Sequence, residues 1–154
     1  MIDINELKTI CIKLCNKYDI NLSVGVIIAN LNNEGHGRFD SINNTILIND
    51  KITNQEFAIS VVCHEFRHLW QKINYPEIYD WWVSHPSVYD KYYWTLFCSI
   101  ERDAFLFGDT YTESNRQDLL DMYSVNDLQN IVDNNAIDFA LKHLEYLEDQ
   151  RIKN

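Results

Sequence analysis

Five consecutive residues, His64-Glu65-Phe66-Arg67-His68, carry the chemistry most readily read from this chain. On a helix, positions i and i+4 lie one above the other on a single face, so His64 and His68 can aim two imidazole nitrogens at one metal ion. Glu65 can then reach a water held by that ion and act as general base. This HExxH spacing supplies half of a zinc peptidase site. A lone histidine on an apolar helix is usually a satisfied core residue. Two of them with a glutamate between are harder to place that way, because burying three polar side chains without metal or partners costs several kcal/mol.

The elements needed to position these residues are visible around them. Thr53 and Glu56 form a T-x-x-E capping box. Neither Gly nor Pro occurs between Asn54 and Ile73, and Pro76 follows, so a helix of about five turns is expected. Phe57, Val61, Val62, Leu69 and Ile73 give it apolar surface near the histidines. The metzincin continuation HExxHxxGxxH is absent, since Gln71 and Asn74 stand where Gly and His would be needed. A third ligand must therefore come from elsewhere. Ser87 and Asp90 resemble another capping start, for a helix through Leu96, Phe97, Ile100, Glu101, Ala104, Phe105 and Gly108. Glu101 has Ala104 and Gly108 on its own face, two small residues that permit close approach of a second helix. Asp103 is turned away by about 200 degrees, so Glu101 is the expected third ligand.

The pairing of HEFRH (64 to 68) with ERDAFLFG (101 to 108) resembles the gluzincin type of zinc metallopeptidase, in particular small single-domain members such as the ImmA/IrrE-type regulatory peptidases and similar HExxH proteins of bacteria and phages. The resemblance covers roughly residues 24 to 108 and is specific at the two motifs. It implies Zn2+ held by His64, His68 and Glu101, with Glu65 as base. The implied fold is α+β and zincin-like: one helix-rich domain over residues 1 to 154, with a small three-stranded sheet or hairpin beside the HExxH helix. The expected reaction is hydrolysis of a peptide bond in a protein or peptide substrate.

The hairpin is also legible directly. Gly37 to Asp40 and Thr45 to Asn49 are strand-like, and Ser41-Ile42-Asn43-Asn44 between them has turn chemistry. Val24 to Ile28 reads as a buried strand. Such a sheet edge can cover the metal helix, pair with an extended peptide, or do both. Between the two metal helices, residues 74 to 86 carry Tyr75, Tyr79, Trp81 and Trp82, which suit either an aromatic cleft wall or core packing. Peptide hydrolysis needs a donor for the developing oxyanion. Candidates are His85, Tyr89, Tyr92, Tyr93 and Tyr111, with His85 and Tyr92 taken as site residues. His85 has two other readings, as a metal ligand or as a cap outside the Ser87 helix. Arg67 suits either a pair with Asp103 that orients the ligand helices or an ordinary surface salt bridge.

Composition bounds the remainder. A chain of 154 residues makes one domain of ordinary size. Residues 4 to 18 form an amphipathic helix with Leu7, Ile10, Leu14 and Tyr18 on one side. Ser114 and Ser124 begin two further helices, the last with a stripe from Leu128 to Leu147 and His143 on its surface. Cys11, Cys15, Cys63 and Cys98 form no CxxC pair and read as buried free thiols. No apolar run approaches twenty residues and no signal-peptide pattern opens the chain, so a soluble, cytoplasmic protein is expected. Thirteen basic residues against twenty-three acidic ones, a net charge of −10, disfavour nucleic-acid and anionic-membrane binding. The same charge supports an alternative, an acidic interaction or inhibitor protein, or a nucleic-acid mimic, on a retained zincin fold. Metal-dependent hydrolysis of a non-peptide amide is a third reading. No pattern specifies an oligomeric state.

Overall fold

A computed structural model describes residues 1–84 together with Glu101, Ala104, Phe107 and Gly108. His85, Tyr89, Tyr92, Tyr93, Cys98, Asp103, Tyr111 and His143 lie outside the described residues, as do the expected helices after Ser114 and Ser124 and the side chains of Trp81 and Trp82.

The described chain is α+β. It runs α1 (Ile4–Lys17), β1 (Gly25–Ala29), β2 (Gly37–Asp40), β3 (Thr45–Asn49), α2 (Gln55–Asn74) and α3 (Pro76–Val83). Asp3 caps α1 by accepting from the Asn5 and Glu6 N–H groups, and Leu7, Ile10, Cys11, Leu14 and Cys15 recur at helical spacing to build its buried stripe. The N-termini of α1 and α2 are tied together at Gln55. Its Oε1 accepts from the Asp3 N–H at 2.8 Å, and its Nε2 donates to the Asp3 carbonyl at 3.1 Å.

β3 lies in the middle of the sheet, parallel to β1 and antiparallel to β2. The β2–β3 hairpin has the expected boundaries. Asp40 organises its turn by accepting from the Ile42 and Asn43 N–H groups, and Asn44 takes a left-handed φ of 49°. Ile46 and Ile48 point from β3 into the core, joined by Val26 and Phe39 from the flanking strands. The expected buried strand at 24 to 28 is corrected in two ways. It spans Gly25–Ala29, and only Val26 is fully buried, while Ile27 and Ile28 are about half exposed at 49% and 43%. Among the described residues β1 is an edge strand packed by α1, so Ile27 faces outward by alternation, while Ile28, on the Val26 side, lines a surface depression near Met1 and Ile2.

α2 is the long helix anticipated, but its cap is Asn54 rather than Thr53. The Asn54 side chain accepts from the Phe57 N–H at 2.9 Å. That shifts the frame by one residue and removes the Thr53–Glu56 box, leaving Glu56 to favour the helix start through its charge. Val61, Val62 and Leu69 are buried as expected, whereas Phe57 and Ile73 near the two ends of α2 are exposed. Residues 76 to 83, read from sequence only as an aromatic segment, form a helix with Pro76 at its first position, where the absent N–H costs nothing. Cys11, Cys15 and Cys63 are buried free thiols, as expected.

Candidate metal centre

The middle of α2 presents His64 and His68 on one face, with their Nε2 atoms 3.2 Å apart. Glu101 bridges them from a second helical segment. One of its oxygens lies 2.8 Å from His68 Nε2 and the other 3.3 Å from His64 Nε2. These are the three residues that the sequence brings forward as candidate ligands, and among the described residues they form the one His/Cys/Asp/Glu group able to hold a metal ion. The close approach also rests on the small-residue face foreseen for Glu101. Ala104 is fully buried, and a Cβ on Gly108 would sit 3.0 Å from the Ser60 carbonyl and 3.5 Å from His64 Cβ.

The donor set fits a cation. Gln71 Oε1 lies 2.8 Å from His68 Nδ1. With that carbonyl accepting, Nδ1 carries the hydrogen, and the Nε2 lone pair is aimed at a carboxylate and at the second imidazole. Such a meeting of acceptors requires a proton or a metal between them. The separations also match ligands around a tetrahedral ion, which stand about 3.3 Å apart for bonds of about 2.0 Å. Without metal, burial would lower the His68 pKa, but the charge and hydrogen bond of Glu101, aided by Glu65 and Gln71, raise it to about 9. Burial would likewise raise Glu101, but His68 and His64 hold its carboxyl well below the usual carboxylate range.

Glu65 lies on the same cleft, beside the cluster. Burial pushes its pKa up, His68 and His64 pull it back, Glu101 opposes them, and the Phe39 backbone N–H bonded to its carboxylate favours the charged form. The Phe39 contact follows from strand register. Asn49 N–H donates to the His36 carbonyl at 2.9 Å, which makes 36 and 49 a hydrogen-bonded pair. By alternation, Gly37 and Phe39 turn their backbone groups away from β3, toward the edge that no described strand pairs. Gly37 is required there for another reason. A Cβ would overlap Val61 Cγ1 and lie 3.2 Å from Glu65 Cγ, so β2 could not lie this close to α2.

His64, Glu65, His68 and Glu101 all line one cleft of about 450 Å³, walled by β2, α2 and α3. Tyr79 and Val83, one helical turn apart on α3, face it. Tyr79 is 7% exposed, and burial together with the charges of Glu65, Asp80 and Glu101 raises its pKa to about 12. Two residues of this site, Gln71 and His36, escape the sequence reading, and Tyr79 enters it only as a cleft-wall or core aromatic. Gln71 was counted only against the metzincin pattern, although its place three residues after His68 puts it on the same helix face. Tyr79 was not among the oxyanion donors. His36, brought to the cleft by the start of β2, was not considered. Arg67 is not on the surface: it is fully buried, with its guanidinium 3.5 Å over the Trp70 ring and 5.0 Å from that of Phe107.

No protein-family model, curated protein or solved structure matches this chain. Among the described residues, no helix is long and apolar enough to cross a membrane.

Proposed function

We propose that this protein is a zinc-dependent peptidase with a zincin-like fold, acting on a protein or peptide substrate. The observation that carries this reading is the meeting of Glu101 with both imidazoles, at 2.8 and 3.3 Å, in the cleft that Glu65 also lines. Two imidazoles and one carboxylate suit zinc, and three protein ligands leave a position for water or substrate, the pattern of catalytic rather than structural sites. The resemblance of 64 to 68 and 101 to 108 to gluzincins supports the same assignment.

When bound, zinc lowers the pKa of water and polarises the scissile carbonyl. Glu65 takes the proton from the attacking water and returns it to the leaving amine nitrogen. Burial strengthens that carboxylate as a base, bringing it closer to the working pH, and the Phe39 N–H fixes its orientation. Tyr79, protonated at neutral pH and held so still more firmly by burial and then by the acidic groups around it, is a donor on the cleft wall available to the developing oxyanion. The β2 edge at Gly37, which no described strand pairs, offers backbone groups to an extended peptide.

Metal analysis and peptide hydrolysis by the full chain test this. About one zinc per chain is expected, lost in His68→Ala and Glu101→Gln. Glu65→Gln should keep metal and fold while lowering hydrolysis by roughly 10²- to 10⁴-fold. A chain that takes up no metal, or a Glu65→Gln variant with full hydrolytic activity, sinks the proposal. Biological function surviving Glu65→Gln with metal retained would favour the acidic interaction protein instead.

A further inference from the structure

A second cleft, of about 510 Å³, adjoins the candidate metal centre and shares Gly35, His36 and Phe57 with it. The His36 and Phe57 rings meet edge to face at 4.9 Å, so this pair forms the low wall between the two spaces. None of the described residues lining the second cleft is Asp or Glu, in a chain whose acidic residues outnumber its basic ones twenty-three to thirteen. Its lining includes Asn33, Asn49 and Asn54, and its cation is Lys51.

Lys51 Nζ donates to Asn33 Oδ1 at 3.0 Å, a neutral partner that leaves the positive charge in place. Acidic neighbours in sequence are engaged elsewhere. Glu34, on the neighbouring metal cleft, pairs with Arg38 at 2.6 Å, and Asp50 lines not this cleft but a depression beside it that shares Asn49, Ile52 and Thr53 with it. The floor is preorganised by Asn49, which is only 4% exposed. Its Nδ2 donates to the Asn32 and Gly35 carbonyls at 3.2 and 2.7 Å, and its Oδ1 accepts from the Lys51 N–H at 3.2 Å. One buried side chain thus fixes both the loop that carries His36 and the backbone that carries Lys51.

We propose that this cleft is an extended subsite selecting an acidic side chain of the peptide substrate, with Lys51 as the specificity-determining residue. The inference rests on the peptidase reading and deepens it. Position follows from helix geometry. Phe57 precedes His64 by seven residues on α2, about 10 Å at a rise of about 1.5 Å per residue. An extended peptide covers that distance in about three residues. The selected acid therefore stands about three residues from the cleaved bond, on the side that lies toward His36.

The test uses the zinc-loaded full chain and matched peptides carrying Glu, Ala or Lys at successive positions on each side of the cleaved bond. Glu should be favoured over Ala in kcat/KM by roughly two- to fivefold at one position, the size expected for an exposed ion pair. High salt should flatten that preference. Lys51→Ala should remove it, and Lys51→Glu should turn it toward the Lys peptide, with metal content checking that each variant is folded. Cleavage without an acidic preference, or a preference that survives Lys51→Glu, overturns this proposal and leaves the peptidase reading standing. Failure of the zinc-loaded wild type to cleave any peptide removes both.

Discussion

Gln71 sets which nitrogen of His68 is free to bind a cation. Its Oε1 faces Nδ1 at 2.8 Å, so the hydrogen stays on Nδ1 and the Nε2 lone pair remains directed at the cluster. Outer partners of this kind commonly contribute 10- to 100-fold to metal affinity. Gln71→Met, which keeps length and volume but loses the acceptor, is therefore expected to weaken zinc binding by roughly that factor while α2 stays helical. Competition against a chromophoric chelator reads the affinity, and Gln71→Glu, which restores an acceptor, should recover most of it. An unchanged affinity in Gln71→Met would show that the tautomer is held by something else. At this scale the sequence was highly legible where geometry is local. Two histidines and a glutamate within one helical turn must share a face or its border wherever the helix lies. His36 and Tyr79 could not be chosen so, because the hairpin and the turn at Tyr75 bring them to the cleft.

Between elements, the candidate centre depends on how closely α2 and the Glu101 segment approach. Gly108 stands at the contact: a Cβ would come within 3.0 Å of the Ser60 carbonyl, backbone that cannot swing aside. Gly108→Ala should therefore destabilise the chain by about 1–3 kcal/mol and weaken zinc binding, since the same displacement withdraws Glu101 from both rings. Thermal unfolding without metal and a metal titration measure the two effects separately; normal values for both would place the contact elsewhere. Small residues on the Glu101 face were readable from the three- and four-residue spacing, as was the hairpin from its Asn-rich turn. The outward side of β1 was not, because Val-Gly-Val-Ile-Ile looks equally apolar in the centre of a sheet and at its edge. The cap moved to Asn54 for a local reason: Thr53 and Asn54 are both good caps, and the chain's path out of β3 selects the second.

For the whole molecule, the cluster joins parts of the chain far apart in sequence, so its charge state should register in global stability. In the metal-free protein, His68 has its pKa raised from 6.5 to about 9. Its contribution is complete below about pH 6.5 and is lost as pH rises through 9. Glu101 is lowered from 4.5, so its contribution is present above about pH 4.5 and lost as pH falls. Glu65, shifted upward by burial, contributes fully below about pH 4.5 and loses that contribution as pH rises from there. Metal-free stability from His68 and Glu101 is thus expected to be greatest between about pH 4.5 and 6.5 and to decline toward 9, with Glu65 tilting the maximum toward the acid end of that window. Zinc replaces the shared proton, so saturating metal should remove much of that decline. At neutral pH, metal at about a thousandfold excess over Kd should add about 4 kcal/mol, or roughly 8–16 °C in Tm for a chain of this length. Calorimetry across pH, with and without zinc, checks the pattern; a metal-free stability that rises steadily toward pH 9 would contradict it.

Sequence alone determined the helix under the histidines, the hairpin beside it, the small-residue face that lets Glu101 meet them and the acidic balance of the chain. Each depends on helical or strand periodicity, on turn chemistry or on composition, which neighbouring residues specify without reference to the rest of the fold. Tertiary structure decided that β3 is central and β1 exposed, that Arg67 is buried against Trp70, and that Tyr79 and His36 wall the cleft. It also placed Lys51 in a space adjoining the metal centre. Those outcomes follow from which apolar faces cover one another, and burial of that kind is settled jointly by segments that no local spacing connects.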